Sequence, residues 1–520
     1  MSAQETFIEA IQKGYTFKGE SILLGAAMLD KQAQENVQVR IPLKTMNRHG
    51  LIAGATGTGK TKTLQVLGEA LSNASVPVLM MDIKGDLSGI AMPGATNIHI
   101  EDRIKKIGME FHPGKFPVEL LTISNEPGAR MRATVIEFGP VLISKILGLN
   151  DTQEGVVAMI FKYCDDNQLP LLDLKDFIKV LQFVSNEGKA EIEKQYGKIS
   201  TSSTGTILRK VIELQQQGAD QFFGEPSFDV NDLMRIGDDG RGVINILRVT
   251  DMQTRPKLFS TFMLSLLAEL YATLPEEGDM DKPKLILFID EAHLVFQEAT
   301  DALLRQIETV IKLIRSKGVG IFFCTQNPQD VPAAVLSQLG LKVQHALRAF
   351  TAADRKVIKT AAENYPETEF YKVDELITEV GTGEALITGL NEKGIPTPLV
   401  HTLLVPPTTR MDTLTDDEIG ALTSSSKLVR KYDQDIDSES AHEILTKRIE
   451  VASAKEEELQ KPARQTGSAR KEKSTLETIL DSSVSRQVGR TAANVITRTL
   501  LGALGLGARR SSARKKSSWF

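Results

Sequence analysis

Apolar residues along the chain alternate between two periods. Residues 20–53 carry the apolar runs ILLGAAML and VQVRIPL and then HGLIAG, which predict short strands. LIAG leads into the glycine-rich GATGTGK, then into KTLQVLGEALS with helical spacing, then into VPVLMMDI. Strand, loop, helix, strand is the cadence of a parallel sheet buried on both faces. Between about 130 and 222 the cadence stops, and RATVIEFGPVLISKILGL, EGVVAMIFKYC and LKDFIKVLQFV repeat apolar residues every three or four positions, as helices do. It resumes at GVINILRV (242–249), a helix through LFSTFMLSLLAELYATL, LILFID (285–290), a helix to Lys317 and GVGIFFCTQ (318–326). VQHALRAF (343–350) and EALITGL (384–390) complete the predicted sheet. The fold class that follows is α/β: one parallel-sheet core interrupted by a helical insertion, its two halves joining in space.

The expected organisation is a short N-terminal β segment (1–46), the first half of the core (47–129), the insertion (130–222), the second half of the core (223–403), a helical extension (404–460) opened by the proline break VPPTTR, and a basic linker with a tail helix (461–520). In that tail helix, predicted from about Thr475 to Leu504, Val484, Val488, Ala492, Ile496 and Leu500 recur every four residues, with Arg486, Arg490 and Arg498 on another arc. Such a helix suits packing on a neighbouring subunit, or binding DNA or an anionic surface.

Composition adds little except charge. Hydrophobic residues at 41% and charged residues at 25% are ordinary for a soluble globular chain. Two cysteines, Cys164 and Cys324, make no disulfide framework and no CxxC zinc pair. The N-terminus has no basic flank before an apolar stretch, and no run reaches the roughly 18 apolar residues of a spanning helix, so no integral membrane segment and a cytoplasmic location are expected. The net charge of −5 conceals an asymmetry: residues 461–520 carry +10, which leaves −15 on residues 1–460. A basic tail on an acidic body points to a polyanionic partner for the tail.

The candidate chemistry lies at strand ends. Gly54-Ala55-Thr56-Gly57-Thr58-Gly59-Lys60-Thr61 matches G-x-x-x-x-G-K-[ST] between a predicted strand and a predicted helix. Glycines there let successive N–H groups turn inward onto phosphates, and the helix N-terminus adds its positive dipole end. Lys60 reaches the β- and γ-phosphates of ATP in this reading, and Thr61 binds Mg²⁺. LILFIDEAH supplies the second acidic element, Asp290 for the magnesium shell and Glu291 to orient or deprotonate an attacking water. In GIFFCTQNPQD, Gln326 ends an apolar strand and could touch the γ-phosphate or that water. His442-Glu443 begins like H-E-x-x-H, but Thr446 stands in the second histidine's place, and the seven histidines are dispersed.

Taken together, these residues resemble the HerA/FtsK branch of the additional-strand, RecA-like P-loop ATPases, most of all its bacterial HerA-like group. The resemblance rests on Arg48-His49-Gly50 before GATGTGKTKT, on MMDIKGDLSG (80–89), on LILFIDEAH and on RSKGVGIFFCTQNP (315–328), in order over roughly residues 45–405. It implies a ring-shaped homo-oligomer, typically a hexamer, with ATP sites between subunits, and an activity that translocates or remodels DNA. The alternative is an ATPase of the same fold acting on protein or regulating an assembly. Residue by residue, the resemblance implies that Lys62 joins the nucleotide-binding set from Ala55 to Thr61. It implies that Asp82 lies near metal and water and that Gln326 is the sensor glutamine. It further implies that Arg315 acts near the nucleotide of its own subunit, and that Arg48 reaches the neighbour's site. Archaeal members carry a sizeable β-barrel ahead of the core that docks a nuclease. The segment ahead of the core here, residues 1–46, is short for such a barrel, which leaves the docking of a nuclease partner open.

Overall fold

Every strand in the described residues belongs to one sheet. They are β1 (Ser21–Leu29), β2 (Gln32–Pro42), β3 (Gly50–Ala53), β4 (Val78–Asp82), β5 (Val118–Thr122), β6 (Ala129–Arg130), β7 (Ile244–Arg248), β8 (Leu285–Ile289), β9 (Val319–Thr325), β10 (Leu341–Gln344), β11 (Glu384–Thr388) and β12 (Val400–Leu404). The computed structural model describes residues 2–278, 280–296, 301–349, 351–434, 436 and 438–460. The linker and tail helix predicted within 461–520 lie outside them. The spatial order is β2-β1-β12-β11-β10-β3-β9-β8-β4-β7-β5-β6. From β10 to β6 all pairings are parallel. The β11, β12, β1 and β2 flank is antiparallel. A strand, β9, thus stands between β3, which feeds the phosphate loop, and β8, which carries the acidic pair. This is the additional-strand arrangement.

The two-residue period of the strands builds two layers. In β8, Leu285, Leu287 and Ile289 join one core while Ile286 and Phe288 join the other. Leu79 and Met81 oppose Val78 and Met80 in the same way in β4. Packing is close enough to demand glycine at the start of β3: a Cβ on Gly50 would lie 2.5 Å from the Phe322 ring of β9. Phe322 in turn meets Phe288 with ring centroids 5.2 Å apart.

Helices Val135–Ile146, Asp151–Asp166, Leu174–Ser185, Lys189–Tyr196 and Thr201–Gln216 form the insertion. They share the core of the Leu287 face, where Phe138 meets Phe222 and Phe223 at 5.8 and 4.9 Å. The C-terminal helix Ala441–Gln460 docks on this insertion, with His442 N–H donating to Asp176 at 2.9 Å.

The N-terminal segment differs from the expected short β piece. It opens with helix α1 (Ala3–Tyr15), capped by a Ser2/Glu5 capping box and burying Phe7, Ile11 and Tyr15 at four-residue spacing. Its two strands are no separate unit either, since β1 pairs with β12 and extends the central sheet.

Candidate functional site

The phosphate loop leaves β3 and enters helix α2 (Lys60–Asn73). No side chain caps α2; its N-cap is Gly59 at φ 113°, so the first N–H groups stay available to an anion. Gly54 has no room for a side chain, because a Cβ would meet His345 Cβ at 2.5 Å. The loop is pinned where it leaves β3: Gly54 N–H donates to Thr325 O at 3.2 Å and Ala55 N–H to Ala346 O at 2.8 Å. Thr58 Oγ1 closes it with a 2.7 Å bond to Ala55 O, while Thr56 and Gly57 form an exposed apex. Lys60 folds back on the loop, its Nζ donating to Gly54 O at 2.7 Å and Ala55 O at 3.2 Å. These are bonds to neutral carbonyls that a phosphate can replace with charge-assisted ones. Lys62 points elsewhere, bonding Gln65 and Met411 O among Asp86, Asp412 and Asp82. Burial lowers its pKa against the pull of those carboxylates.

Along the same edge of the sheet, β8 leads into Asp290 and Glu291, which are only 3% and 5% exposed. Asp290 accepts from Glu291 N–H at 2.9 Å and from the Cys324 thiol of β9. Burial raises the Asp290 pKa, opposed by the charge of Lys84. Glu291 stands at φ 46°, left-handed backbone that a non-glycine residue rarely adopts and that is common at functional sites. One of its oxygens pairs with Lys84 Nζ. The other, Oε2, is buried without a hydrogen bond, His293 Nδ1 lying 3.3 Å away out of alignment. Gln326 follows β9 on this edge, exposed. Asp82, at the end of β4, accepts from Gly85 N–H at 2.8 Å, Asp86 N–H at 3.0 Å and Leu87 N–H at 3.1 Å. Burial lifts its carboxyl to about 7. Its carboxylate therefore holds the turn that carries Lys84 through both oxygens, Oδ1 taking two of the bonds and Oδ2 one.

The residues present suit a bound nucleotide and cation. Thr61 on the first turn of α2 and the buried Asp290 give one hydroxyl and one carboxylate. So small a set leaves most of a Mg²⁺ shell to substrate oxygens and water, which is how that ion usually binds.

Two arginines are not brought to this edge. Arg48 precedes β3, its guanidinium near the turn at Gly394. Arg315 precedes β9 and lies near His49. Strands β3 and β9 run parallel, so both arginines stand at the edge opposite the phosphate loop, about 20 Å away for a seven-residue strand. The expectation that Arg315 acts beside its own subunit's nucleotide is therefore corrected by topology: the strand that leads to Gln326 carries Arg315 at its far end.

Sequence reading assigned no role to Lys84, although MMDIKGDLSG contains it, nor to His345. The latter is fully buried after β10, its Nε2 2.9 Å from Thr63 Oγ1 of α2, and its pKa is lowered to about 4 by burial and then by Lys60. A histidine interrupting the apolar run VQHALRAF was the available signal. His49 is similarly buried and lowered to about 4, its Nε2 bonded to Ile311 O at 2.8 Å and its Nδ1 to Ile321 N–H at 3.0 Å.

Comparison with known proteins gives one family, described as helicase HerA-like C-terminal, matching residues 27–511. The chain is 22% identical over 379 residues to the DNA double-strand break repair helicase HerA of Sulfolobus acidocaldarius, covering 72% of this chain and 68% of that protein. It is 24% identical over 400 residues to the DNA import protein CedB of the same organism, covering 73% of this chain and 56% of that protein. In three dimensions it resembles the bacterial conjugative coupling protein TrwB lacking its N-terminal segment. The TM-score is 0.51 at 13% identity, over 78% of this chain and 94% of that one, which is a likeness of fold.

Proposed function

This chain belongs to the helicase HerA-like C-terminal family and is an ATP hydrolase, and we propose that it works as a ring of identical subunits, a hexamer by resemblance, whose ATP sites are completed by neighbours and whose turnover drives translocation along DNA or its remodelling. The observation that carries this reading is the division of candidate site residues between the two sheet edges. Gly54 to Thr61, Asp290, Glu291 and Gln326 share one edge, and Arg48 stands on the other.

In this reading the loop amides and Lys60 hold the phosphates, and Gln326 orients the attacking water or the γ-phosphate. Glu291 takes the water's proton. Thr61 and Asp290 hold Mg²⁺, which when bound offsets phosphate charge. Arg48 of one subunit stabilises charge on the γ-phosphate of the next, where its planar fork suits phosphate oxygens. Relatives named for DNA repair and DNA import support DNA as the track. The −15 carried by residues 1–460 argues against broad, non-specific DNA binding by the body, so contact is confined to a central passage and the basic tail.

Double-stranded DNA added to the full chain should raise ATP turnover several-fold at low salt, and the effect should fade as salt rises, because phosphate contacts release counterions. If DNA changes neither turnover nor oligomer size at low salt, the reading gives way to an ATPase that acts on protein or times an assembly.

A further inference from the structure

Three lysines stand at the catalytic edge, and their partners differ. Lys60 rests on loop carbonyls and Lys62 on Met411 O. Lys84 alone of the three contacts the acidic pair, its ammonium against Glu291 and within the fields of Asp290 and Asp86. Its side chain is 35% exposed, while that of Glu291 is 7% exposed. This buried carboxylate thus has one oxygen held against its counter-ion, while the other makes no hydrogen bond. The turn bearing Lys84 is fixed from beneath by the three amide bonds to Asp82. The lysine is therefore presented at a set place, with its long stem open to solvent and able to swing.

We propose that Lys84 is a positioning residue that occupies the Glu291 carboxylate while no triphosphate is present and transfers its contact to the γ-phosphate when ATP enters, so that Glu291 becomes available only with the reacting group in place. This rests on the reading of Glu291 as the residue that accepts the water's proton. The terminal phosphate is the one substrate group more anionic than the carboxylate that it must displace. ADP lacks that group and leaves the pair closed. Lys84 thereby couples the presence of the third phosphate to the readiness of the base. It also keeps the buried Glu291 charge paired between turnovers.

The test is the ratio of affinities for a non-hydrolysable ATP analogue and for ADP, measured with the full chain, Lys84→Met and Lys84→Arg, alongside ATP hydrolysis kinetics. Lys84→Met should lower the preference for the analogue over ADP at least fivefold and raise KM for ATP by a similar factor. Its kcat should fall far less than that of Glu291→Gln. Lys84→Arg, which keeps the charge, should restore most of the preference. An unchanged ratio in Lys84→Met overturns the proposal. So does a fall in kcat as deep as that of Glu291→Gln with the ratio intact, since Lys84 would then support the carboxylate without sensing phosphate. Glu291→Gln separates the two claims: if it hydrolyses ATP at the full rate, the base assignment fails, whereas an inactive Glu291→Gln with an unaltered Lys84→Met ratio removes only the role of Lys84.

Discussion

A proton on His345 would set a second cation beside Lys60 beneath the phosphate loop, in a place with no water to solvate it. His345 and His49 both stay neutral in the fold to about pH 4, through burial first. Above about pH 6.5 neither folded nor unfolded rings are charged, and the pair adds no pH dependence. Below it the unfolded chain binds protons that the folded chain refuses until about pH 4. Stability therefore falls as pH drops through that window, by about 1.4 kcal/mol per pH unit for each histidine. Thermal unfolding followed from pH 7 to pH 4 should show this loss, and His345→Gln should shrink the slope by about one proton. An identical slope in the variant would mean that His345 is not held neutral. Lys84 belongs to the same scale. Both residues are visible as letters in the sequence, yet their importance comes from the partner each meets across the fold, and no local pattern names that partner.

Helix α2 is held from outside as well as by its loop. Glu69, buried on its third turn, accepts N–H and hydroxyl bonds from both Thr408 and Thr409, at 2.8 and 2.6 Å from Thr408. Gln65 adds bonds to Thr409 Oγ1 and Arg410 O. The segment after the proline break thus straps the helix that presents Lys60 and Thr61. Glu69→Ala leaves those donors buried without an acceptor, at about 1–3 kcal/mol for each that cannot find water. The melting midpoint should fall by several degrees, with nucleotide affinity falling too; an unaltered midpoint would show that the strap is not anchored there. Elements of this kind divide by how local their signal is. The phosphate loop and the apolar β8 with its acidic end were readable because motif and strand are contiguous. Helix α1 was missed although Ser2 and Glu5 mark its capping box, because the apolar runs that follow dominate the segment. Strands β5 and β6 carry five and two residues without the surrounding cadence, and only their neighbours in the sheet define them. The strap left a proline break as its trace and no hint of its target.

At the scale of the whole molecule, parallel strands sort the functional residues by whether they precede or follow their strand. Gln326 and Arg315 flank β9 and are therefore kept apart by its length, which motif spacing alone did not convey. The same rule gives Arg48 its meaning, for an arginine ahead of β3 faces away from its own loop and toward whatever adjoins the opposite edge. No helix in the described residues is long and apolar enough to cross a membrane. The central claim is that a neighbour supplies this arginine to the hydrolytic site. An arginine inserted from outside contributes about 10³–10⁵ in rate in other phosphate-loop enzymes, so Arg48→Ala and Glu291→Gln should each bind ATP and hydrolyse almost none. The decisive measurement is ATP turnover after mixing these two inactive variants under conditions where subunit exchange has been demonstrated. Recovered activity, from interfaces where an intact Glu291 site meets an intact Arg48, is the predicted result. Normal hydrolysis by assembled Arg48→Ala alone, or continued inactivity after proven exchange, would contradict the account.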